Sequence, residues 1–273
     1  MAFSNRYTLL FAFAVCIVCS IFVAGSAVGL RERQRINRVV DRQAKVLGVV
    51  GLLTPGERWP AEKIIATFEE HIDTKIIELA TGLDAPQIDA EDFDQQVASR
   101  RPESSRVAPA NPAQITRLPH HAALYRQMEG DQVKRVVIPI EGKGLWSTLY
   151  GYLALSPDFA RIEGITFYEH GETPGLGGEI ENPRWQAVWQ GRIPFDGAGH
   201  PVVRVIKGSA GSPDDNPHEV DGLSGATITG RGVTHLVQFW LGHDGFGPYI
   251  ERTRHKVPET EPMPHHQDYG DGR

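Results

Sequence analysis

Three hydroxyl side chains stand close together between Asp221 and Gly232: those of Ser224, Thr227 and Thr229. The stretch, Asp221-Gly-Leu-Ser-Gly-Ala-Thr-Ile-Thr-Gly-Arg-Gly232, is a glycine-broken turn that runs straight into an amphipathic segment. Val233, Leu236, Val237, Trp240 and Leu241 fall at i, i+3, i+4, i+7 and i+8, one apolar face of a helix that Gly242 can close. A helix start offers unpaired backbone N–H groups and a partial positive charge, so a turn rich in hydroxyls and poor in carboxylates suits a phosphate there. The same residues also fit an ordinary N-cap at Thr227 or Thr229. They nearly fit a nucleophile elbow too, because Gly222-Leu-Ser224-Gly-Ala226 is followed by His235 and His243. Ala226 stands where that pattern has glycine, which weakens the hydrolase alternative.

A second stretch with chemical potential is His170-Gly-Glu172-Thr173-Pro-Gly-Leu176-Gly177-Gly178. It is a glycine-rich loop behind a strand, and such a loop lets a flat ring approach the backbone closely. Apolar Leu176 at its tip, flanked by His170 and Glu172, matches a ring with one apolar face and polar edges. A plain hairpin turn accounts for the glycines equally well. His255, His265 and His266 invite a metal, but metal ligands normally come from fixed elements with supporting partners, and these lie in a polar tail. No G-x-G-x-x-G fingerprint follows a strand, so a dinucleotide is not expected to bind this chain.

The elements that must position these loops form an α+β pattern. Tyr7 to Leu30 carries no charge and is long enough to cross a bilayer core of roughly 30 Å, too long for a secretory signal's apolar region of about 7–15 residues. Ile36, Val39, Val40, Ala44, Leu47 and Val50 continue that helix on one buried face as far as Leu53. A second helix is expected after Thr54-Pro55-Gly56, with Ile64, Ile65, Phe68, Ile72, Ile76, Ile77 and Leu79 on one side and Gly82 at its end. Residues 91–119 read as a surface excursion. Strands follow at Val133–Ile140, Leu149–Leu155, Ile162–Tyr168 and Val202–Lys207, implying a curled, largely antiparallel sheet. Asn182-Pro183 opens a short helix bearing Trp185, Val188 and Trp189 before Gly191. From Glu251 the chain is polar and rich in His and Pro, a disordered composition.

The 273 residues carry a formal net charge of −6, which argues against a nucleic-acid partner. Both cysteines, Cys16 and Cys19, lie inside the first apolar run, so no disulfide framework is available to the rest.

Ser224-Gly225-Ala226-Thr227, with Asp221 before it and Thr229 after, resembles the flavinylation motif of bacterial membrane flavoproteins. Gly144-Leu-Trp146-Ser-Thr-Leu-Tyr-Gly151, the loop from Tyr168 to Ile180, and Phe239-Trp-Leu-Gly-His-Asp-Gly-Phe-Gly-Pro248 narrow the likeness. Together these stretches resemble the C subunits of the Na+-translocating NADH:quinone oxidoreductases, over the anchor and most of the chain to about Tyr249. The resemblance implies FMN joined through its phosphate to Thr227 by a flavin transferase, with Ser224, Gly225 and Ala226 around the link. It assigns Glu172, Thr173, Leu176 and Gly177 to the isoalloxazine ring and Trp146 to a neighbouring packing position; a buried core tryptophan fits Trp146 as well. It implies a carrier of single electrons among the other subunits of a respiratory Na+ pump, with NADH bound elsewhere. Expected boundaries are a stub at 1–6, a transmembrane helix at 7–30, a soluble domain at 31–250 with the FMN-binding region at about 130–250, and a tail at 251–273. The G subunit of the Rnf electron-transport complex shares two of the motifs and is the nearest alternative; a non-redox, membrane-anchored binding module is another.

Orientation is contested in the sequence. Arg31, Arg33, Arg35, Arg38 and Arg42 follow the span, whereas only Arg6 and the amino terminus precede it, and the positive-inside rule then favours a cytoplasmic domain. The resemblance implies the outer face of the inner membrane, and long domains cross largely regardless of flanking charge.

Overall fold

The computed structural model describes residues 5–54 and 56–254. One helix, α1 (Asn5–Val49), spans 45 residues at the start of the described chain. Its Asn5–Arg31 portion is long and apolar enough to cross a membrane, and none of the apolar window is buried. Beyond Arg31 the helix runs on without a break until Val46 and Leu47 are buried under the folded domain. Two of the arginines that confuse the charge rule serve this docking. Arg42 Nη1 donates to Asp94 at 2.9 Å and Arg35 lies 3.9 Å from Asp92, so an acidic segment of the domain meets the arginine side of the stalk.

The chain then forms α2 (Ala61–His71), β1 (Ile72–Glu78), β2 (Leu83–Asp84), α3 (Gln95–Arg100), β3 (Ser105–Val107), β4 (Arg117–Pro119) and β5 (His121–Glu129). There follow β6 (Gln132–Lys143), β7 (Thr148–Leu155), β8 (Ile162–Glu169), α4 (Pro183–Ala187), β9 (Arg204–Val205), β10 (Glu219–Val220), α5 (Thr227–Leu241) and α6 (Gly247–Arg254). Six strands make one sheet in the order β2-β1-β5-β6-β7-β8, antiparallel throughout. Register shifts at Gln127/Met128, Tyr150/Gly151 and Ala154/Leu155 kink it. The expected α+β architecture, an apolar helix followed by a largely antiparallel sheet packed by helices, is the one observed.

Strand alternation divides the interior. Val136, Ile138 and Ile140 face a core shared with α5, α4 and α6, whereas Val137 faces a second core with Val46, Leu47, Ile64 and Phe68 of α1 and α2. α5 lies against β6 almost backbone to backbone. A Cβ on Gly232 would stand 2.5 Å from the Lys143 carbonyl oxygen, and one on Gly142 would stand 2.5 Å from Leu236 Cβ. Trp240 closes the contact by donating its indole N–H to the Glu141 carbonyl at 2.8 Å.

Several expectations change. The second helix stops at His71, and Ile72–Glu78 pairs with β5 over seven positions, because the β-branched Ile72, Thr74, Ile76 and Ile77 gain a neighbouring strand. The excursion at 91–119 contains α3, β3 and β4, and β5 follows it unanticipated. Val202–Lys207 shrinks to the two residues of β9, paired in parallel with β10. The expected tail boundary at Glu251 falls inside α6, while the histidine cluster from His255 onward lies outside the described residues.

Candidate functional site

The turn at residues 221–232 is half helix. α5 begins at Thr227, so Ala226 is the N-cap, with φ −130° and ψ 43°, and no side chain caps the helix. That excludes an N-cap role for Thr227 or Thr229. The exposed hydroxyl of Thr227 stands in the first turn, beside backbone N–H groups that no cap consumes. Ser224 and Gly225 are exposed just ahead, and Gly225 takes φ +68°, a conformation a side chain would strain.

Beside this turn lies a cleft of about 610 Å³ lined by Ser224, Gly225, Thr227, Arg204, Lys207 and Arg231, among others. Arg204 is paired with Glu219 at 2.6 Å. Among the described residues no carboxylate pairs with Lys207 or Arg231, so a helix start and two free cations all favour an anion here.

Glu172 joins the second loop to the first. The residue is 5% exposed, and its carboxylate accepts a hydrogen bond from Thr229 Oγ1 at 2.5 Å, in the buried part of α5's first turns. It also accepts from the backbone amides of Trp146 at 2.9 Å, Leu145 at 3.3 Å and Ser147 at 3.4 Å. Burial pushes the carboxyl up, but the Thr229 hydroxyl and these three amides outweigh it and hold the group below its ordinary value. Gly144 and Gly177 make the approach possible. A Cβ on Gly144 would meet Glu172 Oε1 at 2.6 Å, and one on Gly177 would meet Thr229 Oγ1 at 2.6 Å and Glu172 Oε2 at 2.7 Å. Upstream, His170 Nδ1 accepts the Glu172 amide at 3.1 Å.

The clasp leaves an apolar rim outside. Trp146 is 66% exposed, which rules out a core role for it, and Ile228 is 54% exposed. Leu176, 44% exposed, comes within 3.0 Å of where a Cβ on Gly225 would be, so the two motif loops touch. Thr173 is exposed, and its carbonyl accepts the amides of Leu176 and Gly178, closing the loop behind it.

Thus Trp146, Glu172, Leu176, Gly177, Gly225 and the start of α5 form one neighbourhood, although Glu172 points into the protein and not onto its surface. The sequence pointed to no site role for Ile228, Lys207 or Arg231, and it offered Thr229 as a motif neighbour and N-cap candidate but not as the partner of Glu172. It also left out Arg192. That guanidinium is 1% exposed and donates to the carbonyls of Val188, Gly211, Ser212 and Asn216 at 2.6–3.1 Å. The segment it holds reaches the motif, since Asn216 Nδ2 donates to the Ala210 carbonyl and the Ala210 amide donates to Asp221 Oδ1 at 2.6 Å. Ser224 has no hydrogen-bonded histidine among the described residues, so the hydrolase alternative lacks its base.

Known proteins resemble this chain over most of its length. The FMN-binding domain family matches residues 144–242, from the glycine beneath Glu172 to the glycine that ends α5. The C subunit of the Na(+)-translocating NADH-quinone reductase of Yersinia pestis is 44% identical over 250 residues, covering 90% of this chain and 92% of that protein. The Pseudomonas aeruginosa protein of the same name is 41% identical over 254 residues, covering 92% and 97%. The crystal structure of Shewanella oneidensis NqrC aligns with a TM-score of 0.72 at 33% identity, covering 82% of this chain and 99% of that one. The crystal structure of the corresponding protein from Parabacteroides distasonis aligns with a TM-score of 0.62 at 25% identity, covering 81% and 96%.

Proposed function

This chain belongs to the family of C subunits of the Na+-translocating NADH-quinone reductases, and from that premise we propose that its FMN is esterified through the phosphate to Thr227. The chain is a membrane-anchored electron-transfer subunit of that oxidoreductase, with an FMN-binding domain. The covalent link and its address are the step we add. The observation that carries it is the exposed Thr227 hydroxyl in the first turn of an uncapped helix, beside the free cations Lys207 and Arg231.

Bound FMN supplies the chemistry, accepting and passing on electrons one at a time. The chain's own residues tether, orient and shield. Thr227 Oγ is the ester oxygen, the first N–H groups of α5 and the two cations balance the phosphate charge, and Gly225 leaves room beside the link. Leu176, Trp146 and Ile228 offer apolar surface to the ring, and Thr173 and Gly177 shape the loop that carries Leu176. A flavin transferase installs the group by moving the flavin phosphoryl from an activated phosphoanhydride of FMN onto Thr227 Oγ, the other phosphoryl half leaving with the hydroxyl proton, and the other subunits of the complex exchange electrons with the bound flavin.

Thr227→Ala removes the acceptor oxygen and little else, so it abolishes covalent flavin while the fold survives. Flavin fluorescence of the denatured protein in a gel checks this, and a variant that still glows rejects Thr227 as the acceptor. We also propose that the domain faces the outer side of the inner membrane. What supports this reading is that long domains cross largely regardless of flanking charge, so the arginines after the span do not forbid it. Alkaline phosphatase fused after Arg254 is then active; activity from a cytoplasm-only reporter at the same point reverses the assignment.

A further inference from the structure

We infer that Glu172 is a positioning residue of the flavin site, one that aligns the Trp146 loop with the Thr227 turn and places no free carboxylate against the ring. The inference rests on FMN occupying the neighbourhood of Thr227, Leu176 and Trp146. An ionised carboxylate has about four acceptor positions. Here Oε1 takes the amides of Trp146 and Ser147, and Oε2 takes the amide of Leu145 and the hydroxyl of Thr229. All four are used inside the protein. Three consecutive N–H groups converging on one anion form a nest, which fixes the backbone of the loop while its Leu145 and Trp146 side chains splay outward.

The fourth bond makes the clasp matter to the cofactor. Thr229 is fully buried and lies two residues past Thr227, so the position of α5's first turn and that of the Trp146 loop are set by the same carboxylate. Gly144 and Gly177 are packed against that carboxylate at distances a Cβ does not allow, so the backbone on both sides is shaped to it. A carboxamide cannot replace it. Its one oxygen accepts fewer bonds, and its NH2 group confronts an amide N–H.

Two variants separate alignment from charge. Glu172→Gln removes the charge and part of the clasp, whereas Thr229→Val keeps the charge and cuts only the bond to α5. Amide exchange in the flavin-free full-length protein should be at least tenfold faster at residues 145–147 in Glu172→Gln, with β6 and β7 unchanged. In the flavin-loaded protein, Thr229→Val should alter the visible circular dichroism of the flavin in the same direction as Glu172→Gln. Wild-type exchange at 145–147 in Glu172→Gln overturns the clasp. A wild-type flavin spectrum in Thr229→Val, with the redox potential moved only in Glu172→Gln, overturns alignment in favour of direct charge. The exchange measurement needs no flavin, so it stands apart from the fate of Thr227→Ala.

Discussion

Glu172 and Glu141 are the same side chain in two inner regions of one domain, and the protein drives their protonation in opposite directions. Glu172 sits on the α5 side, gathered by three amides and a hydroxyl, and is held below its ordinary value. Glu141 points to the other face of β6, into a cavity of about 320 Å³ lined by Arg100, Arg117, Lys143 and Tyr150, among others. Among the described residues no group donates a hydrogen bond to its carboxylate. Burial dominates there, the opposing charge of Arg100 does not compensate, and the carboxyl is pushed up to about 7. Desolvation acts on both, so the number of aimed N–H and O–H donors decides the sign.

Arg192 extends the contrast to a cation, because it is buried with four carbonyl oxygens and no carboxylate among the described residues. If aimed dipoles suffice to hold a buried charge, Arg192→Met strands those carbonyls and costs about 4 kcal/mol in urea unfolding of the full chain. A loss below about 1 kcal/mol shows that the carbonyls find water instead. The two glutamates supply the next and smaller effects, through the pH dependence of stability. Glu172 has a lower value folded than unfolded, so its stabilisation is complete above the ordinary carboxylate range and drains away as pH falls through the folded value. Glu172→Gln should cost about 2–3 kcal/mol at neutral pH and flatten that acid limb. Glu141 is raised, so the folded protein favours its protonated form, and stability is lost as pH rises from the ordinary carboxylate range to about 7, levelling off above it once both states are ionised. Glu141→Gln should therefore gain about 1–2 kcal/mol at pH 8 relative to pH 5, the full shift being reduced by water in the cavity. Parallel pH profiles for Glu141→Gln and wild type remove the contrast.

What could be seen in the sequence depended on the range of the interaction that decides each element. β6, β7 and β8 are continuous β-rich runs with turns at both ends, and the face of α5 repeats apolar residues at helical spacing, so a local window finds them. Ile72, Ile76, Ile77 and Leu79 satisfy a helical spacing as well as a strand, and only β5 alongside decides between them. The start of α5 is hidden for a different reason. Gly230 and Gly232 are poor helix formers, retained where a Cβ would crowd Val205 or collide with the Lys143 carbonyl oxygen, so packing overrides propensity. Of the site, the motif residues were legible as types, and Leu176 does meet Gly225. The inward aim of Glu172 was not, because its partners lie 25 to 57 positions away.

The unbroken course of α1 makes the stalk a shaft with a bearing as well as a length. In an α-helix one added residue turns whatever follows by about 100° and lifts it by about 1.5 Å. Seven added residues return the bearing to within about 20° while raising the domain by about 10 Å. The compass direction in which the turn at Thr227 faces is therefore set by how many residues separate Arg31 from Val46. Along that interval, insertions and deletions change the heading of the domain before they change any contact within it.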